Sequence, residues 1–220
     1  MMETKDRITT LYLDIETFGG EKPPLDAITP DARLKDPEKI AKNLEEKQEK
    51  QWRLQALDPF LGDVLCVAVA EDEGEAISFF EVDNEGSYIE AATLAKLDNH
   101  LQQYHEIRIV GHNIIDFDAH WLFVKGLKYG FHNLIKAFSD KLWLVDTMLL
   151  MDGPAWKKMT SLDKMARLFG FEGKTDMDGS KVHDAYLSGE LEKIDTYCKD
   201  DVVTLRKCYQ KMMQYGLYVR

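Results

Sequence analysis

The order of the apolar segments constrains the fold of this chain more than any other feature. Two strand-like runs flank a short acidic turn near residue 74, and after residue 88 helical segments alternate with short strands. A hairpin followed by strands that alternate with helices predicts an α/β fold with one mixed central sheet flanked by helices. The strands are expected at 8–15, 64–70, 76–82, 107–110 and 142–145.

The segment between the first two strands departs from this order. It opens with a proline-rich loop, and Asp36 followed by Pro37 predicts the N-cap and first residue of a helix that runs to about Arg53. This helix is strongly charged and has few apolar positions, so we predict a loop-plus-helix insertion at 21–57 on the surface of a single domain, 1–220. The charged helix is also the candidate surface for a protein partner.

The charge of the chain limits how it can bind a polyanion. With 28 Lys and Arg against 39 Asp and Glu, the formal charge is −11, so a nucleic acid must be held locally, by cations or a small basic patch. The densest basic positions, with a solvated surface as the equal alternative, are Lys157, Lys158, Lys164, Lys174 and Lys181. No apolar run reaches membrane-spanning length, and the cysteines lack metal-site spacing, which favours a reducing, cytoplasmic compartment without structural zinc.

Two acidic residues interrupt the first strand where the pattern expects apolar ones. Asp14 and Glu16 lie two residues apart, so their side chains project from one face while Ile15 points the other way. Two carboxylates in one small volume repel each other unless protons or metal ions neutralise them. The alternative is that the strand has ended and both acids are solvated.

Two predicted helices each contribute a further inward acid. Asn113 is expected to cap a helix on which Asp118 shares a stripe with apolar residues. On the last long helix, expected at 190–214, Asp201 lies in the middle of the apolar stripe. Tyr197, one turn earlier, shares that face and brings a phenol beside the carboxylate.

Four inward carboxylates on three separate elements predict a metal centre. Such a cluster cannot stay ionised in a fold without cations. Oxygen ligands with no Cys or His nearby favour Mg²⁺ or Mn²⁺ over zinc. Two such ions about 4 Å apart could activate a water and stabilise the leaving oxygen of a phosphodiester.

Three motifs resemble the exonuclease motifs of the DEDD superfamily, whose members have an RNase H-like (DnaQ-like) fold. They are Asp14-Ile15-Glu16 in LYLDIET, Asn113-x-x-x-Phe117-Asp118 in GHNIIDFDAHWL and Tyr197-x-x-x-Asp201 in TYCKDDVVTL. The Tyr four residues before the last Asp is similar to the tyrosine branch, DEDDy. The segments LDPFLGDVLCVAVA and 161–202 resemble predicted 3′–5′ exonucleases related to the exonuclease domain of family B DNA polymerases.

The resemblance implies a site with two divalent cations, Mg²⁺ or Mn²⁺. Asp14, Glu16 and Asp201 would hold the ion that carries the attacking water. Asp14 would bridge to the second ion, and Asp118 would support the site directly or through water. Tyr197 would orient the water, since a phenol with a pKa near 10 is a better hydrogen-bond partner than a base. The implied contacts to the terminal nucleotide are Thr17, Phe18, by stacking, and Asn113.

The expected activity is removal of nucleoside 5′-monophosphates from the 3′ end of single-stranded DNA, in repair or in proofreading. RNA is the alternative substrate, because nothing in the chain reads a 2′-hydroxyl. A catalytically silent nucleic-acid-binding module is the alternative from another class; the charged helix at 36–53 favours it, and the intact acids argue against it. A generic nucleotide-binding protein is disfavoured by the missing Gly-rich fingerprint.

Overall fold

The computed structural model of the protein describes residues 8–156, 159–172 and 177–217. Of the predicted basic positions, Lys157, Lys158 and Lys174 lie outside the described residues, and Lys164 and Lys181 are exposed. Within the described part of the chain, no helix is both long enough and apolar enough to cross a bilayer.

A mixed sheet organises the described residues, with the strand order β3-β2-β1-β4-β5. The strands are β1 (Thr9–Phe18), β2 (Asp63–Glu71), β3 (Ile77–Phe79), β4 (Ile107–Gly111) and β5 (Leu144–Asp146). β2 is antiparallel to both β1 and β3, whereas β4 is parallel to both β1 and β5. The predicted hairpin and the predicted mixed sheet are both confirmed, and β1 is the central strand.

Helices cover both faces of the sheet. They are α1 (Pro37–Gln55), α2 (Glu90–Leu101), α3 (Asp118–Tyr129), α4 (His132–Ser139), α5 (Thr147–Trp156, interrupted at Gly153), α6 (Leu162–Leu168), α7 (Val182–Leu187) and α8 (Leu191–Gln214). Buried residues of α6, α7 and α8 pack against one face, and those of α2, α3 and α4 pack against the other. The long terminal helix is confirmed as α8.

The alternation of side chains along β1 divides it between the two layers. Leu11, Leu13 and Ile15 belong to the core on the side of α2, α3 and α4. Tyr12 belongs to the core beneath α8. Since side chains two residues apart share a face, Asp14 and Glu16 follow Tyr12 onto the α8 side of the sheet.

The predicted charged helix is confirmed as α1. The carboxylate of Asp36 accepts a hydrogen bond from the Glu38 N–H at 3.0 Å, and Pro37 occupies the first turn. None of the residues of α1 is buried, because most of the helix lies on the surface. Its C-terminal end is held against β1, where the Thr17 hydroxyl donates to the Ala56 carbonyl oxygen at 2.6 Å.

Candidate active site

A cavity of about 590 Å³ opens beside the end of β1. Its walls come from β1, the C-terminal end of α1, the loop before α3, and the α7 and α8 region. The wall includes all of the predicted catalytic residues, namely Asp14, Glu16, Asp118, Tyr197 and Asp201. The structure therefore brings together side chains that lie far apart in the sequence.

β1 positions the first two acids. The strand continues to Phe18, so the alternative in which it ends before the acids is wrong. Asp14 lies opposite Ala68 of β2, and Glu16 lies opposite Cys66, before an irregularity in the register. An oxygen of Asp14, an oxygen of Glu16 and the sulfur of Cys198 on α8 lie within 4.8 Å of one another.

Asp118 is hydrogen-bonded to the backbone of β1. β4 pairs with β1 only as far as Tyr12, and beyond that point the Asp118 carboxylate accepts a hydrogen bond from the Ile15 N–H at 3.1 Å. Its side chain is 3% exposed. Burial raises the pKa of Asp118 to about 7, although hydrogen bonds from the N–H groups of Asp118 and Ile15 oppose the shift, and the charge of Asp146 adds to it.

The loop before α3 differs from the prediction. Asn113 is not a helix cap: it has a positive φ of 65°, and α3 begins only at Asp118. The reason is Asp146, which is buried at the end of β5 and accepts hydrogen bonds from the N–H groups of Asn113 at 3.0 Å and Ile115 at 3.2 Å. The position of Asp146 at the end of a predicted strand was the only sequence signal that its carboxylate would bind this loop.

α8 contributes Tyr197 and Asp201, both of which are buried, whereas the neighbouring Asp200 is exposed. Burial raises the pKa of the Tyr197 phenol far above its ordinary value, and the carboxylates of Glu16, Asp201 and Asp14 add to the shift. A hydrogen bond between Tyr197 and Asp201 acts in the same direction. The phenol therefore stays protonated at neutral pH and can serve as a hydrogen-bonding group but not as a base.

Cys198 is a neighbour of the site that the sequence analysis missed. Its buried thiol donates to the backbone oxygen of Asp14 at 3.7 Å, so the expectation of no cysteine nearby is wrong. Burial raises the pKa of this thiol well above its usual value, and Cys66 and Asp14 raise it further. Without a metal ion, Cys198 is therefore a neutral thiol. The sequence signal was that Cys198 lies three residues before Asp201 on the same helix, so that both side chains share one face.

The three predicted substrate-contact residues lie in different surroundings. Thr17 and Asn113 line the cavity, although the Thr17 hydroxyl donates to α1. Phe18 is 3% exposed; its ring is stacked on His183 with centroids 4.6 Å apart and meets Trp52 edge-on at 5.4 Å. Because neighbouring rings enclose it, no face is open to a base, and the predicted stacking by Phe18 is wrong.

Several other residues of the wall are not among the predicted site residues. They are Arg53, Leu54, Ala56 and Leu57 at the end of α1, His112 and Phe117 beside α3, and Gly179, Ser180 and His183 before and within α7. Among the described residues that line the cavity, Arg53 is the one Lys or Arg. Contacts between segments so distant in the chain leave no local pattern, so sequence spacing could not reveal them.

The donor set fits divalent metal ions. The carboxylates of Asp14 and Glu16 lie close together, and those of Asp118 and Asp201 line the same cavity. Carboxylate oxygens are the ligands that Mg²⁺ and Mn²⁺ prefer, and they outnumber the single sulfur of Cys198 beside them. The arrangement can therefore hold hard cations in a space that also admits a small substrate.

The fold of the chain is similar to that of a solved structure. In solved structures, the chain is similar to the family B DNA polymerase from the hyperthermophilic archaeon Pyrobaculum calidifontis, with 16% identity and a TM-score of 0.61. The alignment covers 96% of this chain and 25% of the polymerase, so the protein spans about a quarter of its length. At this identity the likeness concerns the fold, and it confirms the predicted RNase H-like architecture.

No curated protein matches the sequence. A family model described as a predicted 3′–5′ exonuclease related to the exonuclease domain of PolB matches residues 59–216. The match begins after α1 and includes Asp118, Tyr197 and Asp201. Because it covers well over half of the chain, the protein belongs to this family of predicted 3′–5′ exonucleases related to the exonuclease domain of PolB.

Proposed function

We propose that the protein is a metal-dependent 3′–5′ exonuclease that trims single-stranded DNA and releases nucleoside 5′-monophosphates. One observation carries the proposal. Four carboxylates and a tyrosine, supplied by β1, α3 and α8, line one cavity in a member of a predicted exonuclease family. The fold shared with a DNA polymerase supports DNA as the substrate, in repair or in proofreading for a separate polymerase.

The carboxylates are the ligands for two divalent cations in this proposal. Asp14, Glu16 and Asp201 would hold one ion, Asp14 would also serve the other, and Asp118 would support the site. Bound Mg²⁺ or Mn²⁺ would supply a water of lowered pKa and neutralise the charge that develops on the leaving oxygen. The chain itself supplies rigidity, because β1 is the central strand and the Ile15 N–H fixes the Asp118 carboxylate.

Tyr197 positions the attacking water. Its hydrogen bond with Asp201 fixes the direction of the phenol, and its raised pKa keeps the proton in place. A group of this kind aligns a water by hydrogen bonding, while proton acceptance falls to a carboxylate or to solvent. Asn113, which lines the cavity on the α3 side, is placed to contact the terminal nucleotide.

The proposal is tested with a 5′-labelled single-stranded DNA oligonucleotide. With Mg²⁺ or Mn²⁺ we expect a ladder of products shortened from the 3′ end, and with EDTA we expect none. Asp14→Ala and Asp201→Ala should each lower kcat/KM by on the order of 10²- to 10³-fold, the size typical of losing one group that stabilises transition-state charge. Asp200→Ala and Asp116→Ala are matched controls, because both carboxylates are exposed next to a site residue.

Undiminished digestion by Asp14→Ala would falsify the assignment. An RNA oligonucleotide of the same sequence decides the substrate class. Faster trimming of RNA than of DNA would replace DNA with RNA in the proposal, because the catalytic arrangement suits either phosphodiester.

A further inference from the structure

We propose that the C-terminal end of α1 is a binding surface for the substrate strand. Arg53 binds a backbone phosphate, and Leu54 and Leu57 contact the sugars and bases of the nucleotides that precede the 3′ end. The inference rests on the proposed function and extends it, because it assigns strand binding to a segment that lies before the family match at 59–216. The ligand is a single-stranded oligonucleotide.

The end of α1 is fastened to the catalytic strand. The Trp52 indole N–H donates to the backbone oxygen of Gly20 at 2.8 Å, and the Trp52 ring meets the Phe18 ring edge-on. A Cβ atom at Gly19 would lie 2.2 Å from the Trp52 backbone oxygen, so the two segments are in closest contact there. The cavity wall formed by α1 therefore holds a fixed position relative to Asp14 and Glu16.

Arg53 supplies the positive charge in this wall. Its guanidinium contacts Glu49 at 2.8 Å and Asp184 of α7 at 2.5 Å, and its side chain is 37% exposed. The hydrogen bond with Asp184 raises the pKa of Arg53 above its ordinary value, although partial burial opposes the shift. A guanidinium has five N–H donors, so two such contacts leave donors for a phosphate.

Local charge matters because the chain as a whole repels a polyanion. The formal charge is −11, so long-range attraction cannot hold a nucleic acid to this protein. Within the described cavity wall, Arg53 is the one Lys or Arg. A phosphate at Arg53 would place the preceding nucleotide along α1, with the 3′ end in the cavity.

Exposed apolar side chains continue this surface. Leu54 and Leu57 both line the cavity, and they are 51% and 66% exposed. Large apolar side chains grouped in this way mark an interaction surface. Unpaired bases and sugars have apolar faces that such side chains can remove from water. Continuity with the cavity and with Arg53 identifies the occupant as the substrate strand.

Two substrates of different length test the inference. Oligodeoxythymidylate needs the strand surface, whereas thymidine 5′-(p-nitrophenyl phosphate) presents a single nucleotide to the cavity. We expect Arg53→Ala to raise KM for the oligonucleotide by about tenfold, the loss of one charged hydrogen-bonding contact, with little change in kcat. The rise in KM for the nitrophenyl ester should be much smaller than the rise for the oligonucleotide. Arg53→Lys should recover part of the lost affinity, because it keeps the charge.

Binding without catalysis gives a second readout. In EDTA, fluorescence anisotropy of labelled oligodeoxythymidylate should show weaker binding by Arg53→Ala. The slope of log Kd against log salt concentration should fall in size by about 0.7, the value for one phosphate contact to a single strand. Lys50→Ala is the matched control, since Lys50 is an exposed cation on the same helix outside the cavity wall.

The Asp184→Asn variant distinguishes phosphate binding by Arg53 from a purely structural role of the Arg53–Asp184 ion pair. This change removes the charge that joins Arg53 to α7 but leaves the guanidinium in place. We expect KM for the oligonucleotide to stay near that of the unmodified protein. An increase as large as that of Arg53→Ala would overturn the inference, because Arg53 would then act by fastening α1 to α7.

Two variants of similarly exposed leucines test the apolar part of the surface. Leu57→Ser should raise KM for the oligonucleotide severalfold, and Leu127→Ser should not, because Leu127 is 57% exposed but lies outside the cavity wall. Equal kinetics of Arg53→Ala, Leu57→Ser and the unmodified protein would overturn the inference while the proposed function stood. If the unmodified protein hydrolysed neither substrate with Mg²⁺ or Mn²⁺, the proposed function itself would fail.

Discussion

Two groups of buried and half-buried carboxylates in this protein have different surroundings. In the first, which we call the lysine cluster, Asp63 and Glu90 meet Lys125 and Lys128. The Lys125 ammonium, on a residue that is 1% exposed, lies 3.1 Å from Asp63 and 3.0 Å from Glu90, and Lys128 lies 2.9 Å from Glu90. These contacts join β2 and α2 to α3, and every carboxylate of the cluster faces a cation.

The second group, the cavity acids, consists of Asp14, Glu16, Asp118 and Asp201. They line an open space of about 590 Å³ in which two of them lie within 4.8 Å of each other. Burial of a carboxylate alone therefore does not identify a metal site. Contact with lysines indicates a structural role, whereas convergence on a cavity indicates a functional one.

The largest effect is expected in the lysine cluster. Lys125→Met keeps the length of the side chain but removes the buried cation from Asp63 and Glu90, which leaves them only the half-exposed Lys128. We expect the free energy of unfolding to fall by about 3 to 5 kcal/mol in urea denaturation. Lys96→Met is the control, because the exposed pair of Lys96 with Glu81 should cost less than about 1 kcal/mol. Similar losses for both lysines would remove the distinction between buried and exposed pairs.

Removing one carboxylate from each group should have opposite effects in metal-free buffer. Glu90→Gln weakens hydrogen bonds from Val64 and Tyr129 to a buried acceptor and should lower the free energy of unfolding by about 1 to 3 kcal/mol. Asp14→Asn should keep or raise the melting temperature in EDTA, because Asp14 and Glu16 repel each other. A clear drop in the melting temperature of Asp14→Asn would count against that repulsion.

The two groups should also differ in pH dependence. The pKa of Asp118 is raised by burial from 3.8 to about 7, so between those values the folded state holds a proton that the unfolded chain has released. Its contribution to stability therefore falls as pH rises through this window, and Asp118→Asn should remove that loss in EDTA. Burial alone would raise the pKa of Asp63, but the hydrogen bond from Tyr88 and the charge of Lys125 lower it.

Asp63 consequently contributes stability that is present above pH 3.8 and lost as pH falls through its lowered pKa. Urea titrations of the unmodified protein, Asp118→Asn and Asp63→Asn across this range separate the two contributions. An unchanged pH profile in Asp118→Asn would show that Asp118 is ionised in the folded state without metal.

The smallest effect is expected when the Tyr197 hydroxyl is removed. Tyr197→Phe removes a group that orients a water but leaves all four cavity acids in place, so kcat should fall by about tenfold, less than the loss expected for Asp14→Ala. The melting temperature should change little. A loss as large as that of Asp14→Ala would mean that Tyr197 has a larger part in the reaction than positioning the water.

The sequence was sufficient for the parts of the site that local periodicity determines. The period of a strand placed Asp14 and Glu16 on one face, and the period of a helix separated the buried Asp201 from the exposed Asp200. These are properties of single elements. They held because β1 is regular as far as Glu16, α8 is a long helix, and the two elements pack against each other.

Contacts between distant segments could not be predicted in this way. The start of α3 depends on Asp146, and the ring of Phe18 is covered by Trp52 and by His183, which comes from much later in the chain. The end of α1 reaches the cavity because Trp52 and Thr17 fasten it to the catalytic strand. Each of these contacts arises from tertiary packing, which leaves no pattern in any one stretch of sequence.

Calorimetric titration of the metal-free protein with Mn²⁺ tests the central claim that the cavity acids form a metal centre. We predict saturable binding by the unmodified protein, much weaker binding by Asp14→Asn, and unaltered binding by Glu90→Gln at a temperature where that variant is folded. Equal binding by Asp14→Asn and the unmodified protein would contradict the claim, because the metal would then be held elsewhere.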